Sequence, residues 1–597
     1  MTGHRESPAA VYRERLRIRE ERLGALRRRD GLIANLRLAA AGAGLALVWP
    51  ALVNRAVAAG WLLVPVLVFA VLAAVHGGVL RRRDEAARAV RFYAAGLARL
   101  EDRWVGQGRG GEEFLDPGHP YARDLDLFGP GSLFELLSTA RTRPGEATLA
   151  AWLLAPAGPA EIAARQKAVA ELRGRLDLRE ELAILGEDVA FTTDPGDVVS
   201  WAEGPPVVAS PWAPRLAAAA AMLNVAALGA WWLLPYGSLP LVPALALSGG
   251  LALAWRRRIG EILGRAGRPE RELLLWARML QRLEAEPFTA ARLGALRAAL
   301  AGSAGSAAER IRRLARLIEW SESRRNVLFA PLAAVLLLGP QLAFAVERWR
   351  RRSGGEVGGW LAALGELEAL CSLASFASEH PEDAVPRIVE EPCFVATGLG
   401  HPLLPAAGCV RNDLRLDREQ RLLLVSGSNM SGKSTLLRSV GTNAVLALAG
   451  ATVRAGSLSL GTVAVGASLL AIDSLQDGTS RFYAEIRRLK QIRDLAEGEA
   501  ALLFLLDEIL HGTNSHDRRI GAEGVIASLL AAGGLGLVTT HDLALAEIAD
   551  RLAPRAANVH FEDHLEGGRM VFDYRLREGI VERSNALDLM RGLGLEV

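Results

Sequence analysis

Arg421-Leu422-Leu423-Leu424-Val425-Ser426 runs directly into Gly427-Ser428-Asn429-Met430-Ser431-Gly432-Lys433-Ser434-Thr435, and a helix-compatible stretch follows. The first six residues are a short apolar β-prone run, so the order reads strand, glycine loop, helix. Gly427 and Gly432 let backbone amides turn inward around phosphate oxygens, while the unpaired N–H groups of the new helix face the same anion. Lys433 adds a compact ammonium for the β and γ phosphates, and Ser434 a hydroxyl for Mg²⁺. The chain has three lysines, Lys167, Lys433 and Lys490, and otherwise uses arginine as its basic residue. A lysine here suits a point charge better than a planar guanidinium fork.

Two later stretches belong to the same reading. Residues 501–506 form a continuous apolar run, as in a buried parallel strand, and end in Asp507-Glu508. Residues 535–540 form another, ending in His541. At one edge of a parallel sheet, Asp507 is placed to hold the Mg²⁺ shell, Glu508 to polarise the attacking water and His541 to report the γ-phosphate. Phosphoryl transfer needs positioning and charge neutralisation more than covalent chemistry. Lys433, Glu508 and His541 with Mg²⁺ therefore make a sufficient catalytic set for ATP hydrolysis.

Composition bounds the rest. The 597 residues carry a formal net charge of +3, which does not describe a strongly basic protein. Cys371, Cys393 and Cys409 lack the close pairing of a zinc site or disulfide framework and read as reduced cytosolic thiols. Half the residues are hydrophobic and the mean hydropathy is +0.18, which directs attention to membrane-length runs. A charge-rich stretch, rather than a short basic region, precedes the first such run, so no cleaved export signal is expected.

The apolar runs come in two pairs, 38–53 with 56–75 and 216–234 with 239–255. Arg27, Arg28 and Arg29 precede the first pair and Arg81, Arg82 and Arg83 follow it; Arg215 precedes the second and Arg256, Arg257 and Arg258 follow it. The connecting loops hold only Arg55. The positive-inside rule puts the outer ends of both hairpins in the cytoplasm and makes the lipid bilayer a partner. The expected location is the cytoplasmic membrane, with the ATPase domain facing the cytoplasm. The same runs also suit core helices of a large soluble protein, since the first is short and Asn224 and several prolines interrupt others. A further apolar stretch, 327–346, is assigned to a buried helix, because an odd span would put the nucleotide site outside.

The expected fold class is an α/β P-loop (ABC-type) ATPase domain plus a mostly α-helical core/lever domain with two transmembrane helical hairpins. The expected division is a charged N-terminal helix at 1–37, hairpin 1 at 38–80, a linker helix at 81–125 and a helical core/lever domain at 126–380. Hairpin 2 lies within that domain at 216–255. A linker at 381–395 then leads to the ATPase domain at 396–597. Residues 131–156 read as two helices around an Arg-Pro-Gly turn, and 159–185 and 256–325 as extended helices, the second broken at 301–308. Residues 559–561 and 570–574 read as an edge hairpin, and 585–595 as a closing helix.

GSNMSGKSTLLRSVGTN at 427–443, DGTSRF at 477–482, LLDEILHGTN at 505–514 and TTHD at 539–542 together resemble the MutS family of DNA mismatch-repair ATPases. DLFGPGSLFELLSTARTRPGEATLAAWLLAP at 126–156 is similar to the start of that family's helical core. The resemblance implies a homodimer on double-stranded DNA, with Ser480 reaching in trans to the γ-phosphate held by the other subunit. An ABC transporter would share the nucleotide motifs, but its Leu-Ser-Gly-Gly-Gln signature is absent between Lys433 and Asp507. Ser428 and Ser431 replace the family's usual proline and glycine. The chain has no Phe-x-Glu wedge, so DNA binding without mismatch reading is expected. The second hairpin falls where the family carries its DNA-gripping clamp, and a membrane-anchored mechanical or signalling ATPase with a non-DNA partner is the alternative.

Overall fold

The structure, a computed structural model, describes residues 7–186, 194–208, 210–234, 238–266, 270–302, 305–324, 329–428, 430–469, 481–510, 514–541, 543–566 and 569–581. Two long helices open the chain, α1 (Pro8–Val48) and α2 (Leu63–Leu100). Ser7 caps α1 by accepting from the Ala10 N–H, with Pro8 opening the first turn. The separate helix expected at 1–37 and the linker helix expected from 81 are instead continuous with the apolar hairpin. No proline or cap interrupts 34–47 or 66–99, and each helix packs on the other throughout.

The stem of this hairpin is docked by buried carboxylates. A Cβ at Gly96 would overlap the Tyr12 ring, so α1 and α2 are in close contact there. The Tyr12 hydroxyl donates to Glu379 at 3.3 Å, and Arg99 Nε donates to the same carboxylate at 2.8 Å. Arg19 Nε and the Tyr93 hydroxyl both reach Glu180 at 2.7 Å. Higher up, Asp30 bridges His76 at 2.7 Å and Arg83 at 2.8 Å, and Arg37 meets the other nitrogen of His76 at 2.8 Å. Beyond this polar cluster the helices expose apolar side chains, with Leu38 72% and Leu45 77% accessible.

The helical body is organised around the helix Val357–Glu379, whose residues are almost all buried. Helices Arg143–Leu154 and Pro159–Arg173 pack against it. Arg143-Pro144-Gly145 is the first turn of a helix, not a turn between helices: Thr142 is its N-cap and proline suits that position. The continuous helix expected at 159–185 stops at Gly174 and restarts as Leu176–Gly186. That expected at 256–325 is broken after Ala285, before Pro287, and again at the small hairpin β1 (Ala301–Gly302) and β2 (Gly305–Ser306). Helices Ala213–Leu233 and Leu241–Ala266 form the second apolar pair, with Trp232 84% accessible. Helix Leu338–Ser353 is mostly buried, as expected for that part of 327–346, but a separate short helix, Ala330–Val335, precedes it.

The C-terminal part is α/β. A four-stranded sheet has the order β3 (Arg387–Val389), β7 (Ser457–Gly461), β4 (Phe394–Leu399), β5 (Asn412–Leu416). Its first strand lies inside the stretch expected to be linker. The main sheet runs β12 (Arg569–Glu578), β11 (Ala556–Glu566), β6 (Leu422–Ser426), β10 (Leu535–Thr540), β9 (Ala501–Leu506), β8 (Val463–Ser468). Its strands are parallel except β12. The expected edge hairpin is therefore longer, and β11 is an inner strand paired with β6. The closing helix expected at 585–595 lies outside the described residues.

Candidate functional site

Strand β6 is fully buried between β10 and β11, as its unbroken apolar run requires. The chain leaves its C-terminal end through Gly427, at φ +149°, and enters the helix Lys433–Ala449 through Gly432, at φ +104°. A Cβ at Gly427 would come 2.7 Å from Ser431 Oγ, and one at Gly432 would come 3.1 Å from the Tyr574 ring. Both positions call for glycine on conformation and on space.

Lys433 Nζ donates to the carbonyls of Gly427 and Ser428, each at 2.8 Å, and lies 3.7 Å from Glu508 Oε1. Burial pushes its pKa below the usual lysine value, with Glu508 and Asp507 opposing that shift. The hydroxyls of Ser428 and Ser431 are buried with no hydrogen-bond partner among the described residues. Orphaned donors beside a buried ammonium, in a cradle that a Cβ would fill, fit a polyphosphate.

The neighbouring strands deliver the acidic pair. Asp507 follows β9 and its N–H donates to Ser468 O at 2.9 Å, extending the pairing with β8. Glu508 adopts φ +45°, outside the strand conformation, which turns its carboxylate toward Lys433. Thr539, near the end of β10, ties the two together: its hydroxyl donates to Asp507 Oδ1 and accepts from the Glu508 N–H at 3.0 Å. His541 Nδ1 lies 3.4 Å from Glu508 Oε1. Lys433 and His541 thus both meet Glu508, which follows Asp507 in the chain. Asn429 and Ser480 lie outside the described residues.

A cavity of about 750 Å³ opens beside the loop, lined by Met430, Gly432, Lys433, Ser434 and Thr435 on one side and Asp507 and Glu508 on the other. Sequence reasoning missed other residues that line it, among them His401, Asn412 and Tyr574. Burial pushes His401 down to about 4 and keeps its ring neutral, so Nδ1 can accept the Leu403 N–H at 3.2 Å. Asn412 holds Tyr574 and Leu576 by hydrogen bonds of 3.0 Å to the first carbonyl and 2.8 Å from the second N–H. Thr539 was also missed as an individual residue; its place beside His541 was the available signal.

The site is also tied to the helical body by two acidic residues of one short segment. Asp126 lies 3.0 Å from Arg438, on the helix that starts at the loop. Asp124 pairs with Arg488, on the helix Arg481–Leu495, and accepts the Leu469 N–H at 2.7 Å. Arg488 Nη1 also donates to His119 O at 2.7 Å.

Residues 423–595 match the family model described as MutS domain V. The chain is 34% identical over 239 residues to "DNA mismatch repair protein MSH3" of Phaeosphaeria nodorum, covering 39% of this chain and 21% of that protein. It is 32% identical over 240 residues to "DNA mismatch repair protein MutS" of Methanosarcina mazei, covering 39% and 26%. It is 34% identical over 203 residues to "Endonuclease MutS2" of Thermus thermophilus, covering 33% and 25%. The chain thus spans about a fifth to a quarter of the length of these relatives. The family match begins inside the strand that carries the loop and extends past His541, enclosing the convergent residues described above, so residues 423–595 are similar to MutS domain V.

Proposed function

We propose that the chain is a dimeric, Mg²⁺-dependent ATPase that couples ATP binding and hydrolysis to binding of double-stranded DNA, without reading mismatches. The observation that carries the reading is the meeting of Lys433 and His541 at Glu508, with Lys433 and Glu508 lining the glycine-loop cavity. Lys433 neutralises the β and γ phosphates, while Gly427 to Gly432 present backbone amides to them. Ser434 and Asp507 would hold Mg²⁺, which would supply charge neutralisation for the phosphates. Glu508 orients and polarises the attacking water, and Thr539 fixes both acidic residues. Ser480 of a second copy completes the site in trans.

The apolar helix pairs tether this ATPase to the cytoplasmic membrane, with the catalytic domain in the cytoplasm. Their large side chains are exposed along residues 38–75, 212–234 and 238–253, an area of apolar surface that a water-soluble chain would bury. That same exposure, at the end of the body remote in sequence from the nucleotide site, favours a second reading: a membrane-anchored mechanical or signalling ATPase acting on a non-DNA partner.

The two readings separate in one binding experiment. The detergent-solubilised chain is titrated with matched and mismatched duplex at several salt concentrations. Equal, salt-sensitive affinities support DNA binding without mismatch reading. A marked mismatch preference overturns its last part, and absence of DNA binding selects the second reading. Carbonate extraction of cell membranes tests the tether, which recovery of the intact chain in the soluble fraction overturns.

A further inference from the structure

The segment between helices Ala307–Ser323 and Leu338–Ser353 is unusual. Phe329, Pro331, Leu332 and Ala334 are all exposed, and Leu332 is 51% accessible, although the sequence here is almost wholly apolar. The short helix Ala330–Val335 ends in a sharp break, with Leu337 at φ +48°. A helix break frees backbone carbonyls, and both freed groups are met by side-chain amides. Asn224 Nδ2 donates to Val335 O at 2.8 Å and Gln341 Nε2 to Leu336 O at 2.7 Å. Asn224 is fully buried and in turn accepts from Ser248 Oγ at 3.1 Å. Asn224 and Ser248 belong to the two helices of the second apolar pair. The polar residue that interrupts the apolar run at Asn224 is thus the latch for a third element.

Position along the pair gives the depth of that latch. Asn224 is nine residues beyond Arg215, and Ser248 is eight before Arg256. At about 1.5 Å per residue both lie roughly 12–14 Å from the flanking arginines. That is near the middle of a hydrocarbon layer about 30 Å thick. Trp255, beside Arg256, packs edge-on against Phe344, which is lower on the emerging helix. On the entering helix, Trp320 is 62% exposed, one turn before Arg324. Arg324 Nε donates to Ser321 O at 3.1 Å, and its guanidinium lies beside Gly339, just past the short helix. Aromatic rings on the flanking helices, with bare apolar residues beyond them, are the pattern of an interface crossed by protein.

We propose that residues 329–337 form a re-entrant element that inserts halfway into the bilayer, docked on the second hairpin and covered by lipid acyl chains. This rests on the reading of that hairpin as membrane-inserted. Broken backbone is tolerated at that depth because Asn224 and Gln341 satisfy it. The element enters and leaves on the same side, so it preserves the cytoplasmic placement of the ATPase domain. It also gives the body a lipid contact on the chain that continues through Leu338–Ser353 and Val357–Glu379 toward the first strand of the catalytic domain.

The test uses the full chain with its three cysteines replaced, reconstituted in phosphatidylcholine vesicles carrying a quencher at mid-chain or at the headgroup. A fluorophore is attached through Leu332→Cys in one variant and Leu223→Cys in another; both positions are exposed, and Leu223 adjoins the latch. Mid-chain quenching of the two within about twofold of each other, each stronger than headgroup quenching, supports the proposal. Quenching at Leu223→Cys without quenching at Leu332→Cys overturns the re-entrant element and leaves the hairpin reading standing. Quenching at neither overturns both, and quenching at Leu332→Cys alone overturns the docking.

Discussion

The Thr539 hydroxyl accepts the backbone N–H of Glu508 at 3.0 Å while donating to the carboxylate of Asp507. One β10 side chain thereby sets the two acids that follow β9 in a fixed relation. Thr539→Val keeps the shape and removes both bonds. The expected result is a fall of kcat by about 10- to 100-fold with KM for ATP changed less than about threefold, because positioning and not phosphate binding is lost. An unchanged kcat in steady-state turnover would remove Thr539 from the machinery.

Glu508→Gln retains hydrogen bonding but not the negative charge that polarises water. Turnover should fall by at least about 100-fold while ATP remains bound and a closed dimer accumulates. Lys433→Ala should instead weaken nucleotide binding itself. Equilibrium nucleotide binding and size-exclusion chromatography separate these outcomes; normal turnover in Glu508→Gln means that the base is misassigned.

The two ties between body and catalytic domain should differ in strength. Asp124 and Arg488 are both buried, so Asp124→Ala leaves an uncompensated guanidinium and should destabilise by about 3 kcal/mol. Asp126 and Arg438 are partly exposed and solvent-screened, so Asp126→Asn should cost less than about 1 kcal/mol. Denaturant unfolding of the solubilised chain checks the order, and equal losses would contradict it.

Glu368 is buried in the helical body, where it accepts the Arg141 N–H at 2.8 Å and the Thr142 hydroxyl. Burial pushes its pKa up to about 7, from the ordinary 4.5. The folded chain then holds a proton that the unfolded chain releases between those values, so its contribution to stability is full below pH 4.5 and declines as pH rises to about 7. Glu368→Gln should remove this decline, worth on the order of 3 kcal/mol, and raise Tm at pH 8 relative to the parent. Parallel melting curves for parent and variant from pH 5 to 8 would contradict the assignment. Glu146, raised to about 7 by burial, retains its own share of the pH dependence.

Most of the nucleotide site was legible in the chain before any coordinates. A strand entering Gly427, an apolar run ending at Asp507-Glu508 and another ending at His541 are local patterns, and buried parallel strands put such ends on one edge. The amphipathic logic that exposes 38–75, 212–234 and 238–253 is equally local. Other features depend on contacts between residues far apart in sequence. Thr539 acts on residues 31 and 32 positions earlier, and Asp124 acts on Arg488 over 364. The Asn224 latch looked like an interruption of an apolar run until Val335 O and Ser248 were found beside it. Spacing and periodicity specify which faces are apolar and which ends carry charge. They do not specify which distant backbone group a polar side chain will meet, because that follows from how the elements pack.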